Sequence, residues 1–134
     1  MSSGEAVTGV VVAHGPMARA MVDAVRRIAG DSADALHPMS NDGKGPADLK
    51  GELDAVLGDG PAVIFVDLQA GSCSMAAMMC CREATRRVVV TGVNLPMLLD
   101  FVFHSELPLD EIVDRVVEKG REAIRHPTGA GASS

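Results

Sequence analysis

Gly9-Val10-Val11-Val12-Ala13-His14-Gly15-Pro16-Met17 is the stretch that decides the fold. Its apolar, β-branched run has the length and composition of a short buried strand. Gly15-Pro16 then opens an amphipathic run, apolar at Met17, Met21, Ala24, Val25 and Ile28. A strand that stops at His-Gly-Pro and turns into a helix sets an imidazole at the carboxyl end of a sheet, beside a helix N-terminus. Such an end carries exposed N–H groups and partial positive charge, and it suits an anion. Histidine is also the side chain best able to exchange a charged group near neutral pH. Taken alone, the same histidine could merely cap a strand.

A second segment repeats the pattern. Ala62-Val63-Ile64-Phe65-Val66 ends in Asp67, and Leu68-Gln69-Ala70-Gly71-Ser72 leads into a helix of small residues. Working outward, the sequence predicts strands at 7–13, 34–38, 62–67 and 87–92. Between and after them it predicts helices at 16–29, 46–57, 73–84, 95–103 and 108–125. Alternating strands and helices imply an α/β fold: one doubly wound domain with a mainly parallel sheet of four or five strands and helices on both faces. In the order 2-1-3-4, strands one and three are neighbours at the switch point, ~4.8 Å apart. His14 and Asp67 end those two strands and should therefore meet. Residues 1–126 read as the domain and 127–134 as a flexible tail.

Composition narrows the function classes. The chain has 134 residues, 47% of them apolar, which is enough for one real core. No apolar run approaches the ~20 residues of a membrane span, and the N-terminus lacks a signal-peptide pattern, so a cytoplasmic protein is expected. A net charge of −6, no basic stripe and no Trp or Tyr speak against nucleic-acid binding. Three cysteines, Cys73, Cys80 and Cys81, give no disulfide framework and no zinc-ligand spacing. No cofactor and no metal are expected.

The chemistry follows from the pair. A nucleophilic histidine needs one ring nitrogen unprotonated, and an acidic partner on the other N–H fixes that tautomer. Asp67 can serve His14 in this way. Phosphoryl transfer to His14 would create a phosphoimidazole, which N–H groups around Gly15 and at the next helix start could stabilise together with the Ser72 hydroxyl. Gly71 lets the backbone come close. Ser72 also reads as an ordinary helix cap, and the two roles are compatible.

Three blocks of the chain resemble the IIA domain of the mannose-type phosphoenolpyruvate-dependent sugar phosphotransferase system. They are Gly9-Val-Val-Val-Ala-His14-Gly15, Val66-Asp67-Leu68 through Gly71-Ser72, and Thr91-Gly92-Val93-Asn94-Leu95-Pro96-Met97-Leu98-Leu99. The resemblance implies that His14 is phosphorylated, that Asp67 is its hydrogen-bonded partner and that Ser72 lies in the phosphate loop. It further implies phospho-HPr as donor, a IIB component as acceptor, and a homodimer. The family pattern in the second loop is Asp-Leu-x-Gly-Gly-Ser-Pro-x-Asn. Here Ala70, Cys73 and Met75 replace its first Gly, its Pro and its Asn. That departure touches the docking surface and leaves His14 and Asp67 in place. With no linker or IIB segment in the sequence, a stand-alone component is expected.

The same residues also bear on other classes. A regulatory module read through its phosphorylation state would carry the same site, as would the phosphotransfer subunit of a dihydroxyacetone kinase. Val-Ala-His14-Gly15 also resembles the tetrapyrrole metal chelatases, but these need a second well-placed histidine. Phe65, Phe101 and Phe103 read as core, and so do Met75, Met78 and Met79. Arg82, Arg86 and Arg87 read as a solvated face, His104 and His126 as solvated, and His37 as structural. Cys73 stands at a predicted helix N-terminus, where thiolates are favoured. It is thus a candidate reactive thiol, expected to outreact Cys80 and Cys81, or else a filler of a small buried space.

Overall fold

A computed structural model describes residues 5–82 and 86–129. Four strands, β1 (Thr8–Ala13), β2 (Leu36–Ser40), β3 (Ala62–Val66) and β4 (Arg87–Thr91), form one parallel sheet in the order β2-β1-β3-β4. Five helices accompany them: α1 (Met17–Ala29), α2 (Pro46–Leu57), α3 (Ser72–Arg82), α4 (Leu95–Phe103) and α5 (Leu109–Glu122). The predicted doubly wound topology is therefore present, with four strands among the described residues.

The period of two along the strands sorts the core into two layers. Val11 of β1 and Phe65 of β3 pack with α1, α4 and α5 on one face. Val10 and Val12 of β1, with Ile64 and Val66 of β3, pack with α2 and α3 on the other. Both central strands are buried on both sides, which is why they read as unbroken apolar runs rather than alternating ones. Gly9 lets the first layer close: a Cβ there would lie 2.5 Å from Cε2 of Phe101, whose ring meets Phe65 edge-on with centroids 5.4 Å apart.

Several elements differ from the sequence reading. The second strand starts two residues later than predicted, because Gly30–Ala35 winds into a 3-10 helix with Ala33 buried. The last helix ends at Glu122 rather than 125, leaving Ile124 outside it and 78% exposed. The predicted helix 73–84 runs from Ser72 to Arg82, and its last two residues lie outside the described residues. Of the predicted tail, residues 127–129 carry no regular structure and 130–134 lie outside the described residues.

Side chains also depart from expectation. Phe103 is exposed, since it falls on the side of α4 turned from the sheet. Met75 and Met78 are exposed as well: α3 buries Cys73, Ala76, Ala77 and Cys80 and turns those methionines outward. Arg87 is not solvated. Its side chain is only 10% exposed, and its guanidinium donates to Asp54 Oδ1 (2.8 Å), Gly58 O (3.0 Å) and Cys80 O (3.3 Å), joining β4 to α2 and α3. His104 is half-buried, with Nδ1 2.8 Å from Asp100 O and Nε2 3.2 Å from Arg115, which also pairs with Asp100. His37 lies exposed on the edge strand β2.

The Gly92–Leu99 block serves packing. Asn94 caps α4 by accepting from the Met97 N–H (3.2 Å) and donates to Gly120 O (3.1 Å), tying α4 to α5. Met97 occupies the space a Cβ at Gly120 would fill.

Candidate functional site

β1 and β3 are paired in register from Thr8–Ala62 to Val12–Val66, and β1 runs one residue further, to Ala13, so the two end within one residue of each other. The residues that leave them converge. His14 Nδ1 lies 2.7 Å from Asp67 Oδ2, and the same oxygen accepts the backbone N–H of His14 at 2.9 Å. The other carboxylate oxygen accepts the Leu68 N–H at 2.9 Å. Asp67 is 8% exposed and His14 44%. The acid is thus buried and held, while the ring it orients faces outward.

A carboxylate can only accept, so the proton between the two groups sits on Nδ1 and leaves Nε2 of the neutral ring with a free electron pair. Burial pushes the Asp67 carboxyl up. The His14 backbone N–H, the His14 ring and the Leu68 N–H outweigh that and hold it below the ordinary value.

Gly71 flanks the free nitrogen. Its φ of +107° is a conformation that glycine adopts without strain, and a Cβ there would stand 3.6 Å from both Cε1 and Nε2 of His14. Ser72 is the first residue of α3, so the N–H groups of that first turn have no partners within the helix. Gly71 therefore borders the Cε1–Nε2 edge of the ring, and Cys73 in the first turn of α3 approaches Nδ1.

Asn41, in the polar turn Asn41-Asp42-Gly43 after β2, completes the rim. It follows β2, the other neighbour of β1, and its N–H bonds to Ala13 O at 3.2 Å. Its side chain accepts the Gly15 N–H at 3.2 Å and makes a long contact, 3.5 Å, to Ser72 Oγ. The order 2-1-3-4 was the available signal, because it sets the end of strand two beside His14. In this structure the Gly15 N–H is engaged by that amide oxygen.

Cys73 is fully buried, with Sγ 4.0 Å from His14 Nδ1. Burial and the Asp67 charge push its thiol up, and these outweigh the opposing hydrogen bond from Ser72. Position at a helix start favours a thiolate, and at Cys73 desolvation opposes it. An open groove of about 740 Å³ borders the loop on the α3 side, lined in part by Gln69, Met75, Met78 and Arg82.

Fold and site together define a doubly wound α/β domain that carries a histidine–aspartate pair at its switch point. The family described as the PTS system fructose IIA component, of mannose type, matches residues 8–117, and the chain belongs to it. Membership supports a phosphotransfer role in the sugar phosphotransferase system. Among solved structures, the mannose/sorbose-specific IIA subunit from Enterococcus faecalis superposes with a TM-score of 0.84. It is 24% identical, over 96% of this chain and 100% of that one. Component EIIA from Streptococcus agalactiae gives 0.82 at 23% identity, over 90% and 96%. A sigma-54 interaction domain protein from Enterococcus faecalis gives 0.75 at 18%, over 92% and 96%. At these identities the likeness is one of fold. No curated protein matches. No helix among the described residues is long and apolar enough to cross a membrane. A chelatase-like reading finds no second histidine beside His14 among the described residues.

Proposed function

We propose that the protein is a phosphohistidine carrier in which Nε2 of His14 accepts a phosphoryl group from phospho-HPr and passes it to a IIB component. The observation that carries this reading is the pairing: Asp67 Oδ2 lies 2.7 Å from Nδ1, and a carboxylate that accepts the Nδ1 proton leaves Nε2 as the nitrogen with a free electron pair. The lone pair of Nε2 attacks phosphorus, the bond to the donor histidine breaks, and the positive charge left on the ring faces the Asp67 carboxylate. Gly71 admits the tetrahedral group beside the ring, and Ser72 with the first-turn N–H groups of α3 receives its oxygens. Transfer to the acceptor is the reverse displacement. The chain works in the cytoplasm as a homodimer, for which the open edge of β4 offers a pairing surface.

The test is a reconstituted relay. With phosphoenolpyruvate, enzyme I and HPr, intact mass should rise by one phosphoryl group, acid-labile, and not in His14→Ala. Equal labelling in that variant overturns the assignment.

A further inference from the structure

Cys73 has no part in the carrier chemistry, yet it is packed against it. Its Sγ lies 4.0 Å from His14 Nδ1, which lies 2.7 Å from Asp67 Oδ2. One donor atom from each of the three residues falls within 4.8 Å of the others. Sulfur, imidazole nitrogen and carboxylate oxygen form a donor set for borderline d-block cations, Zn²⁺ above all, whereas Mg²⁺ and Ca²⁺ prefer oxygen alone. Bonds of about 2.3 Å to sulfur and about 2.0–2.1 Å to nitrogen and oxygen set tetrahedral donors roughly 3.3–3.6 Å apart. The Nδ1–Oδ2 pair must open by about 0.6 Å, the Sγ–Nδ1 pair must close by about 0.4 Å, and the Sγ–carboxylate pair, within 4.8 Å, must close by up to about 1.2 Å. The half-exposed ring leaves a way in from solvent.

We propose that His14, Asp67 and Cys73 form a binding site for a thiophilic divalent cation such as Zn²⁺, and that its occupation and phosphorylation of His14 exclude each other. The second half rests on the carrier reading; the first does not. On binding, the Cys73 thiol loses its proton to solvent, and the ring proton moves from Nδ1 to Nε2. One proton leaves per ion, and thiolate and carboxylate neutralise the two positive charges. With hydrogen on Nε2 and metal on Nδ1, the ring has no electron pair left to attack phosphorus. In the opposite direction, a phosphoryl group on Nε2 keeps the other ring proton at Nδ1, paired with Asp67 and closed to metal.

The experiment uses full-length, reduced, metal-stripped protein titrated with Co²⁺ in the absence of any phosphoryl donor. Expected are one ion per chain, a thiolate-to-cobalt charge-transfer absorption and its removal by Zn²⁺. Cys73→Ser should lose the absorption and weaken binding at least about tenfold, the low end even for loss of an outer partner at a metal site. Cys80→Ser should keep both. His14→Ala, changed at a half-exposed position, should also weaken binding, which guards against misfolding of a core variant. An unchanged absorption in Cys73→Ser, or none in the wild type, overturns the site. In the reconstituted relay, equimolar Zn²⁺ should slow labelling of the wild type at least about tenfold, the same margin. Cys73→Ser should be labelled alike with and without it. A wild type that binds metal yet is labelled at full speed overturns the exclusion. Absence of labelling in metal-free wild type overturns the carrier reading and the exclusion with it, while the Co²⁺ titration still judges the site.

Discussion

Oδ2 of Asp67 holds His14 twice, through the ring at 2.7 Å and through the backbone N–H at 2.9 Å. One oxygen thereby fixes both where the residue leaves β1 and which ring nitrogen carries the proton. Two neighbouring strands of a parallel sheet end within one residue of each other, so neither side chain has to reach. The acid is buried and its oxygens are engaged, while the free nitrogen faces the loop at Gly71.

Asp67→Asn separates orientation from charge. The amide keeps the shape and can still accept one hydrogen bond, but it supplies no negative charge for the ring that becomes cationic on phosphorylation. Loss of an orienting carboxylate elsewhere costs up to about 10⁴ in rate. Phosphoryl transfer from phospho-HPr should slow by roughly 10²–10⁴, with far-UV circular dichroism unchanged. A folded Asp67→Asn protein labelled at the wild-type rate would show that the carboxylate does no more than hold the chain.

Gly9→Ala probes the packing beneath the site. The new methyl would lie 2.5 Å from Phe101 Cε2 and 2.9 Å from Leu36 Cδ1, and a ring wedged against Phe65 has little room to yield. Overpacking of this kind costs about 1–3 kcal/mol. Urea denaturation should report a lower midpoint with an unchanged slope. Gly9→Ala combined with Phe101→Leu should lose less than the sum of the two single changes, because they share one space.

Much of this was legible in the residues. Unbroken apolar runs bounded by His14 and Asp67 identify the two central strands, and the usual order of such a fold makes them neighbours. What the sequence hides is which way a face points once neighbours are in place. In α3 nearly every residue is apolar or small, so no period distinguishes Ala76, which is buried, from Met75 and Met78, which are not. Arg87 looks like its exposed neighbour Arg86, yet carbonyls at Gly58 and Cys80 draw it inward. Asn41 sits in a turn rich in Asn, Asp and Gly, where such residues are expected for local reasons. Its reach to Gly15 and Ser72 exists only after three segments have assembled.

Acid should loosen the fold through two carboxylates. Asp67 is held below the ordinary aspartate value of 3.8 despite burial, by its bonds to His14 and Leu68. Asp54 is held below it by Lys50 and Arg87. A folded-state value below the unfolded one contributes stability above the unfolded value, and that stability fades as pH falls through the folded one. Denaturation midpoints should therefore decline between about pH 5 and about pH 2. Asp67→Asn and Asp54→Asn should each flatten part of that decline. A slope in both variants equal to the wild type's would assign the acid sensitivity to other groups.

Thiol reactivity should follow burial rather than position on α3. Cys73 and Cys80 are fully buried, and Cys81 is half-exposed. Burial raises all three thiols. Cys80, beside Asp54, is pushed up to about 12, whereas Arg87 opposes the rise at Cys81. Thiolate is the attacking species and it must be reached, so accessibility favours Cys81. Limited alkylation near neutral pH followed by peptide mass mapping should therefore find Cys81 modified first. Cys73 and Cys80 should react at the rate at which α3 opens, and mild denaturant should accelerate them more than it does Cys81. Cys81→Ser should then lose the fast phase and keep the slow one. Early modification of Cys73 in folded protein would mean that the first turn of α3 opens independently of the core, and it would restore the helix-start thiolate as the dominant effect.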